Sequence, residues 1–313
     1  MTFAMVFPGQ GSQSVGMLAA LAAAEPIVEE TFGAASEVLG YDLWALCQTG
    51  PEELLGQTAR TQPAMLTAGV ATWRAWRKRG GPKPVAMAGH SLGEYTALVC
   101  AGMIDFAAAV DLVRCRGEAM QSAVPHGAGA MAAILGLDDA EVEAACAEAA
   151  QGEVVAAANY NSPGQVVIAG QTAAVDRAIE AAKKRGAKRA LKLSVSVPSH
   201  TALMQPAADA LTQKLADIRI EPAQDIDIYT VNLAKHTTPD HTRRALIEQL
   251  VKPVRWAATI RAILAAGTKT VVECGPGQVL TGLNRRIERD KSFTMAAIED
   301  RASLESALQA VIV

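Results

Sequence analysis

The apolar run Phe3–Phe7 has no polar interruption and stops at Pro8-Gly9-Gln10-Gly11-Ser12-Gln13. A short continuous run of this kind predicts a strand buried on both faces. Helical periodicity follows through residues 17–40 and 63–78. A second buried strand is predicted at 85–88, bounded by Gly80-Gly81 and Gly89. The pattern then predicts a helix over 92–101, a turn at Gly102-Met103-Ile104 and a longer helix over 105–122 capped by Asp105.

From residue 127 the pattern changes. It predicts a strand at 130–137, a helix at 138–150, and strands at 154–160 and 165–169 joined by Asn161-Ser162-Pro163-Gly164. A helix at 172–185 and a strand at 188–197 complete a β-α-β-β-α-β order, the signature of a ferredoxin-like unit. Helix resumes at 201–218, strands are predicted at 226–230 and 268–274, and helices lie between and after them. Strands alternating with helices predict a mainly parallel sheet covered on both faces. The expected fold class is therefore α/β. A large subdomain resembling α/β-hydrolases (1–124 and 199–313) carries an inserted ferredoxin-like small subdomain (125–198).

Composition narrows the function classes. Half of the 313 residues are hydrophobic and 19% are charged, which excludes a disordered or fibrous chain. A net charge of -3 offers no general footprint for nucleic acid or an anionic membrane. The five cysteines are an odd number with no CxxC pair, which argues against a disulfide framework or zinc knuckle and for a reducing cytoplasm. Met1-Thr2-Phe3-Ala4 has no basic stretch of the kind that opens a secretory signal. No uninterrupted apolar run reaches the roughly 18 residues of a membrane span.

Gly89-His90-Ser91-Leu92-Gly93 fits G-x-S-x-G between a predicted strand and a predicted helix. In that setting the sharp turn thrusts the serine outward, and the helix start offers free backbone N–H groups to an oxyanion. A serine nucleophile needs a base. His90 adjoins it and would point away, His126 lies at the subdomain crossing, and His236 and His241 are expected in a solvated polar loop. Placement favours His200, expected in the first turn of a helix capped by Ser199, where the dipole disfavours an imidazolium. No acidic residue stands out as its orienting partner. Ser91 and Arg116 lie 12 and 13 residues on either side of Met103, so a helical hairpin would bring them level. Arg114 and Arg116 face opposite ways, and spacing alone does not say which meets the site.

Together these stretches resemble malonyl-CoA:acyl carrier protein transacylases. The resemblance is carried by Phe7-Pro8-Gly9-Gln10-Gly11-Ser12-Gln13, Gly89-His90-Ser91-Leu92-Gly93-Glu94-Tyr95, Arg116-Gly117-Glu118-Ala119-Met120, Asn159-Tyr160-Asn161-Ser162-Pro163-Gly164-Gln165, Val197-Pro198-Ser199-His200 and Gly275-Pro276-Gly277. It implies Ser91 as nucleophile, His200 as general base and acid, and Arg116 as the clamp on the malonyl carboxylate. It also implies the backbone N–H groups of Gln10 and Leu92 as oxyanion hole, the carbonyl of Gln249 as the group orienting the histidine, and Asn161 in the cleft. The implied substrates are malonyl-CoA and the phosphopantetheine thiol of acyl carrier protein in fatty acid synthesis, with no metal and no cofactor of the enzyme's own. The sequence departs from this pattern at Lys252, where relatives often have Asn. Ser199 also lacks the aromatic that precedes the histidine in malonyl-selective modular acyltransferases.

Carrier proteins of this kind are acidic, so a basic docking face is expected. Lys183, Lys184, Arg185, Lys188, Arg189 and Lys192 fall within ten residues without an acid, and Arg285 and Arg286 form a second cluster. Two competing functions share the serine turn: a serine hydrolase or thioesterase, and a carrier-protein-binding module without catalysis.

Overall fold

The strands form two sheets in the computed structural model, which describes residues 2–195 and 197–312. In chain order they are β1 (Phe3–Phe7), β2 (Ala86–Gly89), β3 (Gly129–Leu135), β4 (Val155–Ser162), β5 (Gln165–Gln171), β6 (Arg189–Lys192), β7 (Asp227–Tyr229), β8 (Thr270–Cys274) and β9 (Thr294–Ile298). Residues 1, 196 and 313, which fall within the expected last small-sheet strand or at the expected limits of the large subdomain, lie outside the described residues.

The larger sheet has the order β7-β2-β1-β8-β9, with every pair parallel. Helices cover both of its faces, so the central β1 is buried at all five positions, as its unbroken apolar run requires. Phe7 pairs with Gly89, so β1 and β2 end level with each other. The two loops that leave them therefore start side by side at the carboxyl edge of the sheet, where α/β folds build their sites.

The smaller sheet is antiparallel, with the order β4-β5-β3-β6. Helices Asp139–Ala150 and Thr172–Lys184 pack on one face over Ala132, Ile134, Val166 and Ile168. Strand β4 also reaches the larger body. Tyr160 N–H donates to the Val254 carbonyl at 2.8 Å, and Val254 N–H donates to the Ala158 carbonyl at 2.9 Å.

Several elements differ from expectation for identifiable reasons. The expected helix at 17–40 is two helices, Ala19–Ala24 and Ile27–Leu39, because Pro26 supplies no N–H to a continuous ladder. The helix expected from 63 starts at Thr58, and Pro63 lies inside it. Proline there costs one backbone hydrogen bond, against burial of nearly every residue from Thr61 to Trp76. The expected strand at 188–197 is only β6. Beyond Leu193 the chain leaves the sheet, and Val195 and Val197 pack into the main core instead. Strand β9 is not among the expected strands; Met295, Ala296 and Ala297 at its centre do not favour strand over helix.

Candidate active site

Ser91 lies two residues beyond the end of β2, and Gln10 three residues beyond the end of β1. The turn is feasible because two glycines let backbones meet. A Cβ on Gly89 would lie 1.8 Å from the Gly93 carbonyl carbon, and one on Gly93 would lie 2.0 Å from the Phe7 carbonyl oxygen. Ser91 itself has φ 52°, in the left-handed region that non-glycine residues seldom occupy. Helix Gly93–Cys100 starts immediately after it. Among the described residues, the N–H groups of Gln10 and Leu92 donate to no protein acceptor, which leaves both free beside the turn.

His200 Nε2 lies 2.9 Å from Ser91 Oγ. Its Nδ1 lies 2.8 Å from the Gln249 carbonyl oxygen and 3.2 Å from that of Lys252. Carbonyl oxygens only accept, so Nδ1 carries the proton and Nε2 is left to accept from the serine hydroxyl. Burial and then the nearby Arg116 charge push the imidazole pKa from 6.5 down to about 3, so the ring is neutral and its Nε2 lone pair is unprotonated. The expected helix start does not explain this. The helical region opens at Ala202 with Thr201 before it, Ser199 is no cap, and His200 lies outside it with φ 63°.

Arg116, not Arg114, faces the serine. Its Nη2 donates to Ser91 Oγ at 3.3 Å and to Gln249 Oε1 at 2.8 Å. Arg114 turns away to Asp111 and Glu118 on its own helix. Arg116 is 1% exposed, stands over the Tyr95 ring at 5.2 Å, and makes no ion pair among the described residues. Its Nε has no hydrogen-bond partner. A buried guanidinium in that condition can take a carboxylate that the protein does not itself supply.

Asn161, on β4, accepts from His90 Nε2 at 2.8 Å, which ties the small sheet to the residue preceding Ser91. His90 packs against Trp256 with the rings tilted at 56°, and among the described residues its side chain makes no hydrogen bond to Ser91. His126 is exposed. The expectation of a solvated His236 is overturned: it is 2% exposed, and its Nε2 lies 2.9 Å from Glu94 Oε1. The polar composition around it hid a position covered by helix Pro239–Gln249. Sequence reasoning assigned no role to Glu94, to His236 or to the Gln249 side chain, although Glu94 stands within the serine motif. No group of three or more His, Cys, Asp or Glu side chains that could hold a metal occurs among the described residues.

Half of the six cations in the basic stretch are paired with acids. Lys183 pairs with Glu180, Lys192 with Asp176, and Arg185 with both Glu141 and Glu148. Lys184, Lys188 and Arg189 are exposed and make no ion pair among the described residues.

A parallel α/β sheet presenting a serine, a neutral histidine and a buried arginine at its carboxyl edge defines an acyl transferase domain, and the model of that family matches residues 4–299. Malonyl CoA-acyl carrier protein transacylase of Escherichia coli K12 is 56% identical over 98% of this chain and 99% of its own. The Bacillus subtilis protein of the same name is 43% identical over 98% and 96%. A malonyl-transacylase solved in complex with a type II PKS acyl-carrier protein superposes with a TM-score of 0.96 at 55% identity, covering 99% of this chain and all of that one. An acyl carrier protein S-malonyltransferase from Vibrio cholerae gives 0.94 at 56%, covering 98% and 99%. The chain belongs to the malonyl CoA-acyl carrier protein transacylase family.

Proposed function

We propose that the protein moves a malonyl group from malonyl-CoA to the phosphopantetheine thiol of acyl carrier protein through an ester on Ser91. The observation that carries this reading is the buried Arg116, without an acidic partner, 3.3 Å from the Ser91 hydroxyl. A substrate with a free carboxylate completes that cation, and an acetyl group leaves it unpaired.

The steps use groups already in contact. His200 Nε2 takes the Ser91 proton as Oγ attacks the thioester carbon, and the free N–H groups of Gln10 and Leu92 receive the oxyanion. Collapse breaks the C–S bond, and the proton on Nε2 goes to the departing CoA sulfur. In the second half the carrier thiol gives its proton to Nε2 and attacks the malonyl ester. Oγ then leaves and takes the proton back. The Gln249 carbonyl holds the ring in the required tautomer, as an aspartate does elsewhere. Asn161 fixes the small sheet against the turn. The CoA thioester is a substrate and the prosthetic thiol belongs to the partner, so this route uses no cofactor of the enzyme's own.

We take the small subdomain as 125–198, on the grounds that its four strands and their separate core fall within those limits. We place the protein in the cytoplasm, in keeping with five cysteines that are all free. No helix among the described residues is long and apolar enough to cross a membrane.

Intact-mass measurement after mixing with malonyl-CoA or acetyl-CoA tests the proposal. Arg116→Ala should lower the malonyl-to-acetyl preference by roughly tenfold to a hundredfold, the worth of a charge-assisted pair. An unchanged preference removes Arg116 from its role. Rapid release of free malonate instead of transfer to the carrier would mark a hydrolase.

A further inference from the structure

Beneath the serine turn lies a buried polar chain that the transfer steps above do not use. Glu94 is fully buried and serves three donors. Its Oε2 accepts from Gln249 Nε2 at 2.9 Å and from Val231 N–H at 3.0 Å, and its Oε1 lies 2.9 Å from His236 Nε2. His236 Nδ1 in turn lies 3.1 Å from Thr242 Oγ1.

The Gln249 amide has two chemically different ends, and its surroundings allow one orientation. On one side lie the Glu94 carboxylate and the Ser91 carbonyl, both acceptors, at 2.9 and 3.0 Å from Nε2. On the other lies Arg116 Nη2, a donor, 2.8 Å from Oε1. Reversal would set the amide NH2 against the guanidinium and the amide oxygen against two acceptors. Burial at 1% exposure leaves no water to relieve those clashes.

We infer that Glu94 is a positioning residue for malonyl selectivity, its carboxylate fixing the Gln249 amide so that the amide oxygen aims Arg116 beside Ser91. The inference rests on the proposed role of Arg116. It assigns Glu94 no contact with substrate. A carboxylate meets all three groups with acceptors, and its charge strengthens the bond from the Gln249 amide. Its place in the first turn of helix Gly93–Cys100 also suits a negative charge.

The test is the ratio of kcat/KM for Ser91 acylation by malonyl-CoA to that by acetyl-CoA, with folding followed by circular dichroism. Glu94→Gln keeps the volume but removes the charge and replaces one acceptor by a donor, which weakens the hold on the Gln249 amide. The ratio should fall about tenfold, mainly through a higher KM for malonyl-CoA. In a Gln249→Met background, which keeps the backbone carbonyl on His200, Glu94→Gln should change the ratio no further, because coupled residues are non-additive. An equal loss for both CoA esters, or additive effects in the double variant, overturns the relay. If Glu94→Gln does not fold, Gln249→Met decides alone, and an unchanged ratio then overturns it. Arg116→Ala separates the two levels. If Arg116→Ala keeps the ratio, the parent reading falls and the relay with it. If Arg116→Ala loses the ratio while Glu94→Gln keeps it, only the relay falls.

Discussion

Ser91 and His200 meet at 2.9 Å, and both are non-glycine residues held at positive φ, 52° and 63°. Left-handed backbone costs about 1 kcal/mol or more for a residue with a Cβ, so the pair is held against a local preference. The restraints are visible. The Ser91 carbonyl accepts from Glu94 N–H and from Gln249 Nε2, each at 3.0 Å, while the Gln249 carbonyl holds the His200 ring. Ser91→Ala and Ser91→Gly should both abolish the malonyl adduct seen by intact mass. They should differ in stability, because glycine relieves the strained backbone and alanine does not. Thermal denaturation should place Ser91→Gly above Ser91→Ala by about 1 kcal/mol. A persisting adduct in either variant would mean another nucleophile.

His200 gives the pH dependence a definite sign. Burial and then Arg116 lower its pKa to about 3, against an ordinary 6.5. The folded state therefore keeps a neutral ring at pH values where the unfolded state already binds a proton. Stability should be unaffected by this group above about 6.5 and fall as pH drops from there toward 3. Ser91 acylation by malonyl-CoA, followed in a single turnover, should stay flat across pH 6.5 instead of titrating there. An acid limb centred at the ordinary histidine value would show that the ring is solvated when it works.

The glycine pair around Ser91 predicts a packing defect. A Cβ on Gly93 meets the Phe7 carbonyl oxygen at 2.0 Å, and the Pro8 carbonyl oxygen lies 3.0 Å away. Backbone atoms cannot rotate aside, so helix Gly93–Cys100 must move off β1, and both Ser91 and the free Leu92 N–H move with it. Gly93→Ala should cost several kcal/mol of stability, as overpacked cores do, and should also slow acylation. A variant that melts like the parent with full activity would mean that the close approach does not place the serine.

The legible parts of this chain were those governed by local chemistry. Strand β1 announced itself because burial on both faces demands an unbroken apolar run, and Asp105 capped its helix as expected, accepting from Ala108 N–H at 3.1 Å. Ser91 was legible from its turn, and the hairpin spacing brought Arg116 level with it. The choice of Arg116 over Arg114 came from the family resemblance, because two positions on opposite sides of a helix satisfy the same spacing. Burial set by distant segments was not legible. His236 lies in a polar stretch and is nonetheless covered, and its partner Glu94 is 142 positions away. The neutral state of His200 was expected for the wrong reason. A helix start was inferred at that position, whereas the cause is a buried ring beside a guanidinium, which no sequence window contains.

Docking of the carrier protein supplies the last prediction. Among the described residues, the ion pairs leave Lys184, Lys188 and Arg189 exposed and unpaired on the expected basic face. Leu191 shares a face of the edge strand β6 with Arg189, and Leu193 follows just beyond the strand; they are 52% and 37% exposed. Exposed leucines among cations form a surface suited to an acidic partner that also offers an apolar contact. Replacing Lys184, Lys188 and Arg189 together by Glu should raise the KM for the carrier protein several-fold and flatten its salt dependence, since rim charges mainly steer encounter. The KM for malonyl-CoA should not move. Reversing Arg185 instead would also break its contacts with Glu141 and Glu148, so a loss there would not distinguish docking from local damage. Equal changes in both KM values for the triple variant would remove this face from the interaction and direct the search to Arg285 and Arg286.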